Sequence, residues 1–129
     1  MTDDPNTANP LFNNPLAYQL PYAGNVREGI SYLDDARIFD IYRPEKVEGP
    51  APVVVLVTGY PDPGFEARVG MKQMQIQAYK DWAKLLAVSG MAAVIYSTVE
   101  PVEDVFTLLN FLRCEADQLQ IDPARIAVW

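Results

Sequence analysis

A chain of 129 residues suffices for one domain around a single core, and half of its residues are hydrophobic. No apolar run approaches the roughly 18 residues that a membrane-spanning helix needs. Ten basic against 17 acidic side chains give a formal charge of −7, which repels a phosphate backbone, so nucleic acid is not expected as a partner. The sequence contains no His, which removes Ser–His and Cys–His chemistry along with the commonest metal ligand, and neither a metal nor a cofactor is expected.

Residues 1–25 carry Pro5, Pro10, Pro15 and Pro21 among Asn and other polar residues, a composition that suits neither a helix nor an alternating strand. An extended or mobile arm is expected there. Residues 1–10 lack the basic start and apolar stretch of a secretory signal, so a cytoplasmic setting is the expectation. Residues 26–129 are read as the folded domain. It opens on a β-hairpin, strands 26–33 and 37–42 around Asp34-Asp35, in which Phe39 and Ile41 point to one face and Ile38, Asp40 and Tyr42 to the other.

After the linker 45–52, the run Val53-Val54-Val55-Leu56-Val57 is apolar throughout, the pattern of a central strand covered on both faces. Residues 59–70, punctuated by Pro61, Pro63 and Gly64, read as a loop. From Met74 the period becomes helical, with Met74, Ala78, Trp82, Leu85 and Leu86 on one stripe and Gly90 as the stop. Residues 91–96 form a second buried strand, parallel to the first by the strand–helix–strand rule. Pro101, Glu103 and Asp104 suit a helix start, and Val102, Val105, Leu108, Leu109, Leu112, Ala116 and Leu119 form its apolar stripe until Asp122-Pro123 breaks it. Residues 125–129 begin a third buried strand. The single Cys114, with no partner for a disulfide, is expected as a small apolar filler on its helix.

The pattern is α/β: a β-hairpin followed by parallel β-α-β-α-β. Three stretches narrow it: Arg37-Ile-Phe-Asp-Ile-Tyr-Arg-Pro44, Pro52-Val-Val-Val-Leu-Val-Thr-Gly-Tyr-Pro61 and Asp122-Pro-Ala-Arg-Ile-Ala-Val-Trp129. Together they resemble the N-terminal portion of the α/β-hydrolase superfamily, in particular its esterase, lipase and dienelactone-hydrolase-like members. The resemblance implies that residues 53–58 are the third strand of that fold, running into an oxyanion loop, and that residues 126–129 are the fifth, running towards Gly-x-Ser-x-Gly. It also implies that the backbone N–H of Tyr60 is one of two oxyanion-hole donors. Thr58 stands where that loop commonly has His before Gly59, and the segment equally suits a plain strand-to-helix turn.

Nucleophile, acid and histidine of the family would all lie beyond Trp129, so no triad residue is assigned here, and Ser31, Ser89 and Ser97 match no elbow motif. The resemblance therefore implies part of a serine hydrolase for a small-molecule carboxylic ester, inactive as this chain alone. The alternative is a non-catalytic hydrolase-like binding or interaction module. A nucleotide site is not expected, because Phe65 and Glu66 stand where a phosphate loop needs Lys and Ser/Thr after Gly59 and Gly64. Arg68 and Lys72 read as solvated surface residues. Substrate identity and oligomeric state are left open.

Overall fold

The computed structural model describes residues 10–129. Its strands are β1 (Val26–Ser31), β2 (Ile38–Tyr42), β3 (Ala51–Val55), β4 (Ala92–Tyr96) and β5 (Ile121–Val128), joined in one sheet of order β1-β2-β4-β3-β5. The hairpin pair β1/β2 is antiparallel, β2 runs antiparallel to β4 with Phe39 opposite Tyr96, and β3 runs parallel to both β4 and β5. At Gly29 the backbone adopts φ +68, a left-handed value that glycine reaches without a Cβ penalty, and the ladder shifts register between Arg27 and Ile30. The Gly29 N–H donates to Asp40 Oδ1 at 2.9 Å.

The helices are α1 (Pro10–Asn13), α2 (Asp62–Val69), α3 (Gln77–Val88), α4 (Pro101–Cys114) and α5 (Ala116–Leu119), with a 3-10 turn at Gln73–Gln75. Alternation along the strands divides the core into two layers. Phe39, Ile41, Val53, Val55, Val94 and Tyr96 pack against Leu108, Leu112, Ala116 and Leu119 on one face, while Tyr42, Ala93 and Ile95 pack against Met74, Ala83 and Ala87 on the other. β4, apolar at every position, is buried at every position.

The arm expected over 1–25 lies partly outside the described residues. Within them, residues 14–25 carry no regular structure but are tied to the body. The Leu16 N–H donates to buried Asp81 Oδ2 at 2.9 Å, the Tyr22 hydroxyl to the Arg43 carbonyl at 2.6 Å, and the Ala23 N–H to Glu45 Oε1 at 2.6 Å.

Several sequence expectations are corrected. Residues 59–70 are not all loop, since Asp62–Val69 is helical. Pro61 is its N-cap and Pro63 lies in its first turn, where a missing N–H has no partner to lose, and Gly70 ends it at φ 84. The prolines mark a helix start. On α3 the face towards the sheet is Tyr79, Ala83, Leu86 and Ala87 rather than Ala78, Trp82 and Leu85. Two alanines let the helix lie close to the sheet, and Trp82 stays 40% exposed, packing edge-on against Trp129 with ring centroids 4.9 Å apart. On α4, Val102 is 69% exposed and Phe111 takes the core side against Phe39, ring centroids 5.7 Å apart. Cys114, two residues past Leu112 and so turned well away from its face, is exposed rather than a core filler.

Asp122-Pro123 does not end the preceding helix. Gln120, at φ 57, ends it, and β5 pairs with β3 from Ile121 onward. Between Ile121 opposite Ala51 and Ile126 opposite Val53 the strand bulges outward, held by Asp122, whose carboxylate accepts from the Ala124 N–H at 2.9 Å and from Arg125 Nε at 2.8 Å. The strand expected to be buried over 125–129 is instead an exposed edge: among the described residues β5 has β3 as its sole partner, and Val128 and Trp129 are 55% and 63% exposed. An open apolar edge templates further pairing. The 129-residue polypeptide by itself is accordingly expected to self-associate, with a sedimentation coefficient that rises along a concentration series. A monodisperse monomer at all concentrations would contradict this.

Candidate functional site

β3, β4 and β5 are parallel, so their carboxyl ends open on one side of the sheet, the side on which α/β folds bind ligands. There the chain leaves β3 through Leu56–Pro61. The Leu56 N–H donates to the Val94 carbonyl at 3.0 Å, the Val57 N–H to the Trp129 carbonyl at 2.7 Å, and the Trp129 N–H to the Val55 carbonyl at 2.9 Å. The loop thus starts hydrogen-bonded to the ends of both neighbouring strands.

Thr58 is buried, its N–H 3.4 Å from the Tyr96 hydroxyl, and its own hydroxyl has no hydrogen-bond partner among the described residues. Burial pushes the Tyr96 hydroxyl above its ordinary pKa, which keeps it a neutral donor and acceptor under the loop. Gly59 and Tyr60 are exposed. No backbone acceptor among the described residues takes the Tyr60 N–H, whereas the Tyr60 carbonyl accepts from Gln73 Nε2 at 2.5 Å.

Beyond Pro61 the chain is gripped by Asp62, only 3% exposed. Its N–H donates to the Thr98 carbonyl at 2.8 Å, and its carboxylate accepts from the Thr98 N–H at 2.6 Å and the Gln73 N–H at 2.9 Å. Thr98 belongs to the segment after β4, which carries a second buried carboxylate. Asp104 accepts from the Thr98 hydroxyl, the Val99 and Glu100 N–H groups and Arg37 Nε, all at 2.8 to 2.9 Å. Burial pushes the Asp104 carboxyl up, but these donors outweigh it and hold the group below its ordinary value, while the bond to Asp104 raises Arg37.

Tyr60 lies in the loop that leaves the carboxyl end of β3, three residues after Val57, which bonds to Trp129. Arg68 lies exposed on α2, and Lys72 borders a cleft of about 400 Å³ that also contains Glu28, Asp40 and Lys80. Asp62, Gln73, Arg37 and Thr98 carry no role in the sequence reading. The one local sign was an acid directly after Pro61, since a carboxylate in a first helical turn is favoured by the dipole; its partners come from distant segments.

No protein-family model matches the chain, and no curated protein is significantly similar to it. Solved structures do match. DphMB1 superposes on 99% of the chain with a TM-score of 0.66 at 22% identity, covering 42% of its own length. An ester hydrolase from the metagenome of Lake Arreo superposes on 87% with a TM-score of 0.64 at 21% identity, and an arylesterase on 86% with 0.63 at 20%, each over 36% of its own length. The fold is that of the α/β hydrolases, and the chain spans about two-fifths of the length of these structures. No helix among the described residues is long and apolar enough to cross a membrane.

Proposed function

We propose that residues 1–129 are the N-terminal portion of a serine hydrolase acting on small-molecule carboxylic esters, in which the Tyr60 N–H is one of two donors to the oxyanion of the tetrahedral intermediate. The reading rests on one observation above others: a loop whose Tyr60 N–H meets no backbone acceptor among the described residues starts from hydrogen bonds to the carboxyl end of β5. A nucleophile just after that strand would stand beside it, and its following N–H would be the second donor. The nucleophile and its base come from residues outside this sequence, which has no His. That same lack of His supports the second reading, a non-catalytic module of hydrolase architecture.

The 129-residue polypeptide alone is expected to show no saturable turnover of nitrophenyl acetate above buffer, because nucleophile and base are both missing. Saturable hydrolysis that survives removal of host esterases would contradict this. The polypeptide from the complete encoding reading frame is expected to hydrolyse the same ester and to be labelled by a fluorophosphonate. A complete product that does neither would decide for the module.

A further inference from the structure

We propose that Gln73 and Asp62 are positioning residues that aim the Tyr60 peptide, a role that takes its meaning from the oxyanion assignment above. The Tyr60 N–H belongs to the Gly59–Tyr60 peptide group. Gly59 has no Cβ, and a Cβ built there would meet nothing within 4 Å, so packing does not restrain the loop at that point. Upstream the last short bond is from the Val57 N–H to the Trp129 carbonyl at 2.7 Å, and Thr58, buried, adds a 3.4 Å contact from its N–H to the Tyr96 hydroxyl. Past Gly59, orientation of the Tyr60 peptide needs a second anchor on the downstream side.

That side is held by a closed circuit. Gln73 Nε2 donates to the Tyr60 carbonyl; the Gln73 N–H donates to Asp62 Oδ1; Asp62 Oδ2 takes the Thr98 N–H; and the Asp62 N–H returns to the Thr98 carbonyl. Asp62 and Gln73 are 3% and 6% exposed, and Thr98 is fully buried, so the bonds of the Asp62 carboxylate are shielded from water and anchored in the segment after β4, while the bond to the Tyr60 carbonyl is part-buried. The two oxygens of the Asp62 side chain accept from two N–H groups at once, which the neutral amide of Asn cannot do without turning a donor towards one of them. Pro61 adds a fixed φ between the two gripped residues. The Tyr60 carbonyl and the Asp62 side chain are each held, so the Tyr60–Pro61 peptide plane is fixed, and the Gly59–Tyr60 peptide, whose N–H meets no backbone acceptor among the described residues, is clamped between this anchor and Val57.

The circuit is tested on the chain itself by selective ¹⁵N-tyrosine labelling, which leaves seven amide signals, Tyr60 being assigned by its loss in Tyr60→Phe. In the unsubstituted chain the Tyr60 amide is expected to have an order parameter near that of rigid backbone, about 0.85, falling below about 0.6 in Gln73→Met and in Asp62→Asn with the other tyrosines unchanged. A merely structural role would loosen the other tyrosines as well. Gln73→Glu, which keeps the size but not the donor, gives the same fall if Gln73→Met does not fold. A Tyr60 amide that stays rigid in a folded Gln73 variant overturns the inference. The readout needs no substrate, so it fails or stands separately from ester hydrolysis by the complete reading frame, which tests the oxyanion assignment.

Discussion

Tyr60→Pro, made in the complete encoded polypeptide, is expected to lower turnover of an ester about a hundred- to a thousand-fold, the usual effect of deleting one oxyanion-hole donor. The proposed donor is a main-chain N–H, so Tyr60→Phe and Tyr60→Ala should each change turnover far less. The side chain is 47% exposed and lies against Gly64, where its loss leaves no buried cavity. Proline removes the N–H without removing a backbone hydrogen bond, because no backbone acceptor among the described residues takes it. The drop should fall on kcat, since the oxyanion exists only in the transition state and intermediate and a ground-state carbonyl gains little from the donor. Circular dichroism and KM must be followed alongside, because proline also restricts Gly59 before it. Near-full turnover in a folded Tyr60→Pro protein would leave Tyr60 as a turn residue and remove the oxyanion assignment.

Asp104→Ala is expected to destabilise the fold by about 1–3 kcal/mol, the usual cost of leaving a buried donor without its acceptor. The substitution removes one of the carboxylates paired with Arg37, which keeps Asp34, and strips acceptors from the Val99 and Glu100 N–H groups and the Thr98 hydroxyl. A domain with about 5–15 kcal/mol in total has little reserve against such a loss. Urea unfolding at constant protein concentration measures it. The pH dependence has a definite sign. The folded carboxyl titrates below its unfolded value of 3.8, so its stabilisation is fully present above that value and is lost as pH falls through the folded value. The difference between wild type and Asp104→Ala should therefore be constant near neutrality and shrink below about pH 4. A difference that is small at pH 7, or that does not narrow in acid, would show that the cluster does not hold the segment after β4.

How far the sequence alone reached depends on whether a signal was local. The apolar runs at Val53–Val57 and Met91–Tyr96 read as doubly covered strands and fall on β3 and β4, although β3 ends at Val55 and Val57 is 37% exposed, and the alternation of Phe39 and Ile41 with Ile38 and Tyr42 assigned each side chain to its layer, because the two faces of a strand separate residues by position alone. The order of short motifs pointed to the α/β-hydrolase fold, and to Tyr60 as a candidate donor. Punctuation misled where one residue type serves two purposes: Pro61 and Pro63, read as loop, begin α2, and Asp122-Pro123, read as a helix breaker, makes the bulge of β5. Bulk misled on α3, where Trp82 outweighed Ala83 and Ala87 although small side chains are what bring a helix close to a sheet.

The remaining features were set by tertiary structure alone. Arg37 and Asp104 are 67 positions apart, Thr98 and Asp62 36 apart, and Val57 meets Trp129 only because β3 and β5 are neighbours. No periodicity records such partners, since the chain between them can follow many paths at little extra entropic cost per residue. The apolar runs of this sequence determined the covered inner strands β3 and β4, and its composition denied the chain a histidine. Which carboxylates grip the loop, and that the Tyr60 carbonyl is held while its N–H meets no backbone acceptor among the described residues, were decided by the order β1-β2-β4-β3-β5, which brings the carboxyl ends of three parallel strands to one place.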